Sequence, residues 1–487
     1  MNRSVLLNVV GLTSRLIGRH TPRLLRHLES SARVTITPTL PAVTCTAQST
    51  YLTGSQPSDH GIVANGWYDR SLAEVQFWKQ SNHLVRGEKI WESLRRKQPG
   101  FTCAKLFWWY NMYSTADWSI TPRPAYPADG RKVFDIYASP YSLRTEIKSD
   151  LGEFPFPGFW GPAAGRNTPQ GPPDAATRWI AQSARWTEER HRPTLSLVYL
   201  PHLDYNLQRY GVLQSSAAAA PNTTPSSVDS NASLQPLIVP DLEAIDAIVG
   251  ELLDFYRSRD VVPWILSEYG ITNVTHPIHL NRIFRQCGWL AIKEELGLEL
   301  LDAGASRVFA VADHQVAHVY VNDSSLMAEV GKQLASIPGI ARVLGGEEKR
   351  RAGLDHPRSG DWIAVSQENA WFTYYYWLDD ALAPDFARCV DIHRKPGYDP
   401  VELFTDPRLS PLALKARIGW RLLQKKLGFR MLMDVIPLDA TLVRGSHGCR
   451  PSDRRDWPLL IGPKSAGLPE QLESWEIRDA LLRAWSP

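Results

Sequence analysis

Polar side chains that could take part in catalysis follow several apolar runs of this 487-residue chain. Thr44 follows a Pro-bounded loop at a predicted helix start, Asp204 follows the run LSLVYL, and Glu268 follows VVPWILS. His447 lies in a Gly-Ser-His-Gly sequence near the end of the chain. A hydroxyl, two carboxylates and an imidazole suit a nucleophile beside a hard or borderline metal ion. Backbone amides at a helix start would also suit an anion.

The apolar runs that precede these residues have the pattern of buried strands. Val5–Val10, Leu195–Leu200 and Val261–Ser267 are the clearest strands, and Asp241–Arg257 is an intervening helix. Buried strands that alternate with helices predict an α/β fold with a mostly parallel central sheet flanked by helices. Ligands of such sheets bind beyond the carboxyl ends of the strands. We therefore expect residues 1–487 to form a single α/β domain with its site at that edge.

Two segments depart from the alternating pattern. Residues 67–186 are rich in aromatic residues and proline, which predicts an ordered insertion or cap over the site, because linkers are poor in aromatics. Its Trp and Tyr runs suit either a core or a pocket for a base, a lipid or a polyprenyl group. Residues 213–236 are of low complexity and predict a mobile surface loop.

The amino-acid composition indicates which partners and which cellular compartment to expect. The chain is 43% hydrophobic and 22% charged with a net charge of +3, so a mainly disordered chain is excluded and a nucleic acid polymer is not expected. The five cysteines form no CxxC pair, which favours reduced thiols and a cytoplasmic location. No apolar stretch has the length of a transmembrane segment. The oligomeric state is left open.

Five segments carry a resemblance to a known family: PAVTCTAQSTYLTG at 41–54, HGIVANGWYD at 60–69, YLPHLDYNLQRYG at 199–211, LSEYG at 266–270 and GSHG at 445–448. In this order they resemble the alkaline phosphatase superfamily, and particularly its nucleotide pyrophosphatase/phosphodiesterase branch. The resemblance implies a two-metal phosphohydrolase that acts on a small phosphorylated substrate. It places Thr44 at the nucleophile position and Asn65 at the phosphate-contacting position. It also implies that Asp204 and His447 are metal ligands.

Four positions depart from that family pattern. Val10 stands where an Asp is expected, Gln208 where a His is expected, and Glu268-Tyr269 where Asp-His is expected. Valine cannot bind a metal, and glutamine and tyrosine are weak ligands for zinc compared with a neutral imidazole. The usual pair of zinc ions is therefore not expected.

The departures leave three alternatives. One divalent metal, zinc or manganese, could bind Asp204, His447 and Glu268, with Gln208 or Asn8 assisting. Catalysis could instead be metal-free, with Glu268 as general base for the hydroxyl of Thr44. The chain could also be a disabled hydrolase scaffold that binds a phosphorylated or prenylated metabolite. A transferase that uses the same threonine intermediate is not distinguishable from a hydrolase by sequence.

Each candidate residue also has an ordinary structural role. Thr44 could cap a helix, and Asp204 could hold a loop by an Asx turn. His393 is the rival for the late ligand position, and His314 is expected to be structural. Cys45 could be a nucleophile at a helix start, where the pKa of a thiol falls, but no neighbouring histidine supports that role.

Overall fold

A computed structural model of the chain describes residues 3–128, 132–169, 171–214, 234–429 and 431–485. Its β-strands are β1 Ser4–Val9, β2 Ser31–Thr37, β3 Gly66–Asp69, β4 Glu74–Phe77, β5 Cys103–Leu106, β6 Trp118–Pro122, β7 Ile136–Ser139, β8 Leu195–Leu200, β9 Val262–Leu266, β10 Thr272–Asn273, β11 His276–Ile278, β12 Ala291–Glu295, β13 Leu298–Asp302, β14 Val308–Asp313, β15 Val316–Val321, β16 Ile340–Leu344, β17 Trp362–Ser366, β18 Ala370–Phe372, β19 Gly445–Ser446, β20 Leu459–Pro463 and β21 Gln471–Glu473. Its α-helices are α1 Pro22–Glu29, α2 Thr44–Thr53, α3 Pro57–His60, α4 Ile90–Lys97, α5 Ser142–Leu151, α6 Ala175–His191, α7 His202–Tyr210, α8 Val239–Arg257, α9 Leu280–Gln286, α10 Met327–Ser336, α11 Gly346–Arg351, α12 Pro411–Lys426 and α13 Ile477–Trp485.

The largest sheet has nine strands in the order β21-β2-β20-β9-β1-β8-β5-β6-β7. Strand β1 lies within it and pairs in parallel with both β8 and β9. Every residue of β1 and β8 is buried, as expected for parallel strands covered on both faces. Strand β20 is antiparallel to its neighbours β2 and β9, so the sheet is mixed but mostly parallel. The predicted α/β fold class is confirmed.

Helices cover this sheet and complete its core. Helix α6 packs on β8, and α8 packs on β9. Helix α13 packs against α2, and its Trp485 meets the ring of Trp264 edge to face, with 5.8 Å between the centroids. The apolar strands of the sequence are thus buried as one continuous core.

Residues 67–186 differ from the expectation of an inserted cap. Strands β5, β6 and β7 of this segment extend the central sheet, and α6 covers it. Trp108 and Tyr110 are buried, whereas Tyr113 is 58% exposed. A large part of the aromatic-rich segment is therefore sheet and core, because its short apolar strands pair beside β8.

A second, smaller sheet lies later in the chain, in the order β14-β15-β17-β16. Its strands are antiparallel, and the aromatic run from Trp371 to Trp377 packs in its core. The predicted low-complexity loop at 213–236 lies mostly outside the described residues. At its ends, Leu213 and Leu234 form an antiparallel bridge.

Candidate active site

Thr44 is the first residue of helix α2, directly after the loop that leaves strand β2. The helix has no exposed face, and it ends at Gly54, whose φ of 65° is a left-handed conformation that glycine adopts without strain. The hydroxyl oxygen of Thr44 lies 3.2 Å from the hydroxyl oxygen of Tyr269, which follows strand β9. Thr44 therefore lies at the carboxyl end of the parallel strands, where the sequence places the site.

A chain of hydrogen bonds runs from Thr44 to the carboxylate of Asp204. Tyr269 donates its hydroxyl hydrogen to Oδ1 of Asp204 at 3.2 Å. Because a tyrosine hydroxyl has one hydrogen, Thr44 must be the donor in its own contact with Tyr269. Gln208 donates to the other oxygen of Asp204 at 2.8 Å, and Tyr398 donates to Oε1 of Gln208 at 2.9 Å. Both oxygens of Asp204 thus accept hydrogen bonds from the two residues that replace the expected histidines.

Burial is the main cause that raises the pKa of Asp204, to about 7. Hydrogen bonds from Tyr269 and Gln208 oppose this rise because they favour the ionised carboxylate. A carboxylate with a pKa near neutrality can exchange a proton with its partners at physiological pH.

Four aromatic rings form a stack beside Asp204. The successive rings are Tyr398, His314, His447 and Tyr269, with centroid separations of 3.6, 3.6 and 3.5 Å. Stacked contacts of this kind fill the space around the carboxylate with apolar ring faces. The stack joins residues from four distant parts of the sequence into one wall of the site.

His447 has a defined tautomer in this stack. Its Nδ1 lies 2.8 Å from the carbonyl oxygen of Ala42, so Nδ1 carries the hydrogen and Nε2 is left as the acceptor. Nε2 lies 3.9 Å from Oδ1 of Asp204. Burial lowers the pKa of His447 to about 3, and the imidazole is neutral.

Glu268 directly precedes Tyr269 in the sequence and has its own hydrogen-bond partners. Its Oε1 accepts hydrogen bonds from Asn8 at 2.5 Å and from Gln48 at 2.6 Å. Burial raises the pKa of Glu268 to about 8, against the opposing hydrogen bonds of Gln48 and Asn8, and the Thr44 side chain also lies beside this carboxyl group. Gln48 also accepts from the backbone N–H of Trp109 at 2.7 Å, so the aromatic-rich segment is tied to the site.

Asn65 connects the start of helix α2 to a buried acid, Asp313, which is the last residue of strand β14. Its side-chain oxygen accepts from the backbone N–H of Cys45 at 3.0 Å, and its amide donates to Asp313 at 3.0 Å. Burial raises the pKa of Asp313 to about 7. Burial also raises the pKa of the Cys45 thiol, which disfavours a thiolate nucleophile there.

Sequence reasoning did not assign Asp313, His314, Tyr398 or Gln48 to the site. The available signal was the Asp-His pair within VADHQVAH, at the end of the apolar strand β14. Such a pair after a buried strand has the same form as the other candidates. His393, the predicted rival of His447, lies elsewhere, with Nδ1 3.3 Å from the carbonyl of Phe77.

The donors at this site do not fit the metal ions that the family resemblance implies. Zinc sites use three or four protein ligands, and the described part of the chain holds no group of three His, Cys, Asp or Glu residues placed to bind one metal. The predicted set of Asp204, His447 and Glu268 forms no such group among the described residues, and Oε1 of Glu268 instead accepts hydrogen bonds from Asn8 and Gln48. Gln208 donates its amide hydrogen to Asp204 instead of offering an oxygen alongside it.

A comparison with known protein families identifies the family to which the chain belongs. The model of the type I phosphodiesterase / nucleotide pyrophosphatase family matches residues 4–399. The chain belongs to this family. It is a family of phosphoester hydrolases within the alkaline phosphatase superfamily, so the resemblance inferred from sequence is confirmed.

Solved structures share the fold at low sequence identity. An inactive variant of murine ectonucleotide pyrophosphatase/phosphodiesterase 5, in complex with AMP, is 13% identical with a TM-score of 0.54. The match covers 100% of this chain and 95% of that one. Phosphonoacetate hydrolase from Sinorhizobium meliloti, in complex with phosphonoformate, is 13% identical with a TM-score of 0.57, over 99% of this chain and 96% of that one. No curated protein matches the sequence. Among the described helices, none combines the length and the apolar character needed to cross a bilayer.

Proposed function

We propose that this member of the family hydrolyses a small phosphate ester, with Thr44 as the nucleophile. The observation that carries the proposal is the hydrogen-bond chain from the Thr44 hydroxyl through Tyr269 to Asp204. A threonine hydroxyl is a weak nucleophile unless a neighbouring base takes its proton. Asp204, with a pKa near 7, is a suitable terminal base for that transfer.

The hydrogen-bond chain from Thr44 to Asp204 also suggests why the expected metal ligands are replaced. In this family pattern a metal cation would lie beside Asp204, but here Tyr269 and Gln208 donate hydrogen bonds to both carboxylate oxygens. These donors stabilise the ionised form of Asp204 without a cation. Tyr398 orients Gln208 by donating to its oxygen, so Gln208 presents its NH₂ group to Asp204.

The proton balance of the proposed reaction closes over two steps. When the Thr44 oxygen attacks phosphorus, its proton passes to Tyr269 while the proton of Tyr269 passes to Asp204. The leaving alcohol takes its proton from water, and the phosphoryl group remains on Thr44. Water then attacks this intermediate, and the bond between phosphorus and the Thr44 oxygen breaks. Thr44 recovers its proton from Asp204 through Tyr269, and the proton that the attacking water loses neutralises the hydroxide left by the first step.

Negative charge on the phosphoryl oxygens requires hydrogen-bond donors near Thr44. The start of helix α2 presents backbone amides there, and a helix N-terminus favours an anion. Asn65 lies beside the same helix start, and its amide is the predicted side-chain contact to phosphate. Interactions of this kind are effective when they strengthen as charge develops in the transition state.

Glu268 has a different role in this proposal from the general base predicted by sequence. Because burial raises its pKa to about 8, Glu268 already carries a proton in most molecules at neutral pH and is then unable to take one from Thr44. Its contacts with Asn8 and Gln48 make it a support for the site, and Gln48 connects it to Trp109. We assign Glu268 to the positioning of Thr44.

A second candidate function is a binding protein on a hydrolase scaffold. The observation in its favour is the closed site: Thr44 is 4% exposed, and the four-ring stack covers Asp204. A substrate can reach Thr44 only if the covering residues move. Such a protein would bind a phosphorylated or prenylated metabolite without turning it over.

A comparison of three proteins separates these functions. The wild type, Thr44→Ala and Thr44→Ser are assayed against a panel of phosphodiesters and phosphomonoesters, and their folding is compared by thermal unfolding. We expect turnover by the wild type, residual turnover by Thr44→Ser and none by Thr44→Ala, with unfolding temperatures close together. Unchanged turnover in Thr44→Ala would overturn the nucleophile assignment. Tight ligand binding with no turnover in any of the three would favour the binding protein.

A further inference from the structure

Helix α12, Pro411–Lys426, is unusual because no described side chain along it is buried. Its formation follows from local sequence: Ser410 accepts a hydrogen bond from the backbone N–H of Ala413 at 3.2 Å, and proline occupies the first helical position. Leu414 and Ile418 lean on the core of the second sheet. One side of the helix thus contacts the protein, and the other side is exposed to solvent.

An ion pair of Arg421 shows which face of the helix contacts the rest of the protein. Arg421 pairs with Asp434, with 2.8 Å between Nη2 and Oδ2. Leu414, Ile418 and Arg421 are spaced by four and three residues, so they share one face that points to the protein. The opposite face of α12 therefore points away from the protein.

That outer face is apolar. Leu412, Ala416, Trp420, Leu423 and Leu427 follow one another at intervals of four or three residues, which places them on one stripe. Leu412 is 78% exposed, Trp420 57%, Leu423 45% and Leu427 63%. A contiguous apolar stripe of this size on a surface marks an interaction site.

The charge around the stripe has one sign. Residues 411–429 contain five basic residues and no acidic one. Arg421 faces inward, and Lys425, four residues later, lies on the same side of the helix. Lys415, Arg417 and Lys426 lie at the flanks of the stripe, and these three and Lys425 are exposed. A second copy of the chain is a poor partner, because a twofold contact would bring together two surfaces that both carry only basic charges.

We propose that α12 is an in-plane membrane helix that binds an anionic lipid surface. Its apolar stripe would enter the boundary between headgroups and acyl chains, and Trp420 would sit at that level, where tryptophan is enriched. The flanking lysines and arginine would contact the lipid phosphates, with their aliphatic stems along the apolar boundary. The site and the helix are connected in sequence, since the chain enters α12 after Tyr398 and returns from it to His447.

Vesicle flotation with the full chain tests this proposal. Vesicles of phosphatidylcholine alone are compared with vesicles that contain an equal share of phosphatidylglycerol. We expect the wild type to float with the anionic vesicles, and the variant Leu423→Glu/Leu427→Glu to lose at least about tenfold in affinity, because two apolar side chains no longer enter the bilayer. A matched control, Leu72→Glu/Leu296→Glu, adds the same charge at two exposed leucines outside the helix and should bind like the wild type.

Charge-reversal variants and a measurement of self-association give outcomes that could contradict the membrane proposal. Lys415→Glu/Lys426→Glu should remove the preference for phosphatidylglycerol. Thermal unfolding of all variants should match the wild type, because the changed side chains are exposed. Failure of the wild type to bind anionic vesicles, or equal loss of binding in the Leu72/Leu296 control, would overturn the proposal. A wild-type dimer in light scattering that Leu423→Glu/Leu427→Glu makes monomeric, without vesicle binding, would identify a second copy as the occupant instead.

Discussion

Replacing Glu268 by glutamine should make the protein more stable at alkaline pH and change its stability little in acid. Glu268 is fully buried, and burial raises its pKa from 4.5 to about 8. The unfolded chain releases this proton near pH 4.5, whereas the folded chain keeps it until about pH 8. Between those values the free energy of unfolding of the wild type falls by 1.36 kcal/mol per pH unit, or ~5 kcal/mol in all from this one group.

Glutamine removes this pH dependence and keeps the shape of the side chain. Its amide oxygen can still accept the hydrogen bonds that Asn8 and Gln48 donate to Oε1 of Glu268. At pH 4 we therefore expect the two proteins to differ by less than ~1 kcal/mol, the typical size of one altered hydrogen bond. At pH 8.5 the variant should exceed the wild type by several kcal/mol, up to the ~5 kcal/mol worked out above.

Urea unfolding at a series of pH values measures this difference directly. Glu329→Gln is the matched control, since it makes the same substitution at an exposed carboxylate of helix α10. We expect Glu329→Gln to follow the wild type across the series. If Glu268→Gln is less stable than the wild type at pH 8.5 by as much as at pH 4, then Glu268 is ionised in the folded protein, and its assignment as a protonated support is refuted.

Three further predictions concern the relay and the metal. Tyr269→Phe removes the hydroxyl between Thr44 and Asp204 but keeps the ring beside His447. Turnover should therefore fall by ~10²–10⁴-fold, with little change in unfolding temperature. The control Tyr141→Phe, at an exposed tyrosine, should change neither turnover nor unfolding temperature. The rate should rise with pH through about 7, as Asp204 loses its proton, and a rate that falls through this range would contradict its role as base. Dialysis against a chelator should leave turnover and unfolding temperature unchanged, and elemental analysis should find no stoichiometric metal; restoration of lost activity by zinc or manganese alone would show that a metal is bound after all.

Much of the fold could be predicted because the central strands are continuous apolar runs. Val5–Val10 and Leu195–Leu200 match β1 and β8 to within a residue at each end, since strands that are buried on both faces leave a strong local pattern. The shorter strands of residues 67–186 were missed because Cys103–Leu106 and its neighbours are interrupted by aromatic turns. Their place in the sheet depends on pairing with β8, which no local pattern contains.

The site was only partly predictable for a related reason. Thr44, Asp204 and Glu268 follow strands or begin helices at the expected edge, so their approximate position follows from the order of elements. His314 and Tyr398 are brought to His447 by the second sheet and by long loops, and their stacking cannot be read from spacing. The orientation of Gln208 is likewise a property of the folded site, because it depends on a hydrogen bond from Tyr398.

Attack of Thr44 on phosphorus would leave a covalent intermediate, and trapping that intermediate tests the proposed role of Thr44 directly. The wild type is mixed with a turned-over phosphodiester, quenched in acid within the first turnovers, digested and analysed by tandem mass spectrometry. We expect the substrate's phosphoryl moiety to be attached to Thr44 in the wild type and to be absent in Thr44→Ala. A phosphoryl moiety on any other residue, or rapid turnover with no covalent intermediate and full activity in Thr44→Ala, would contradict it.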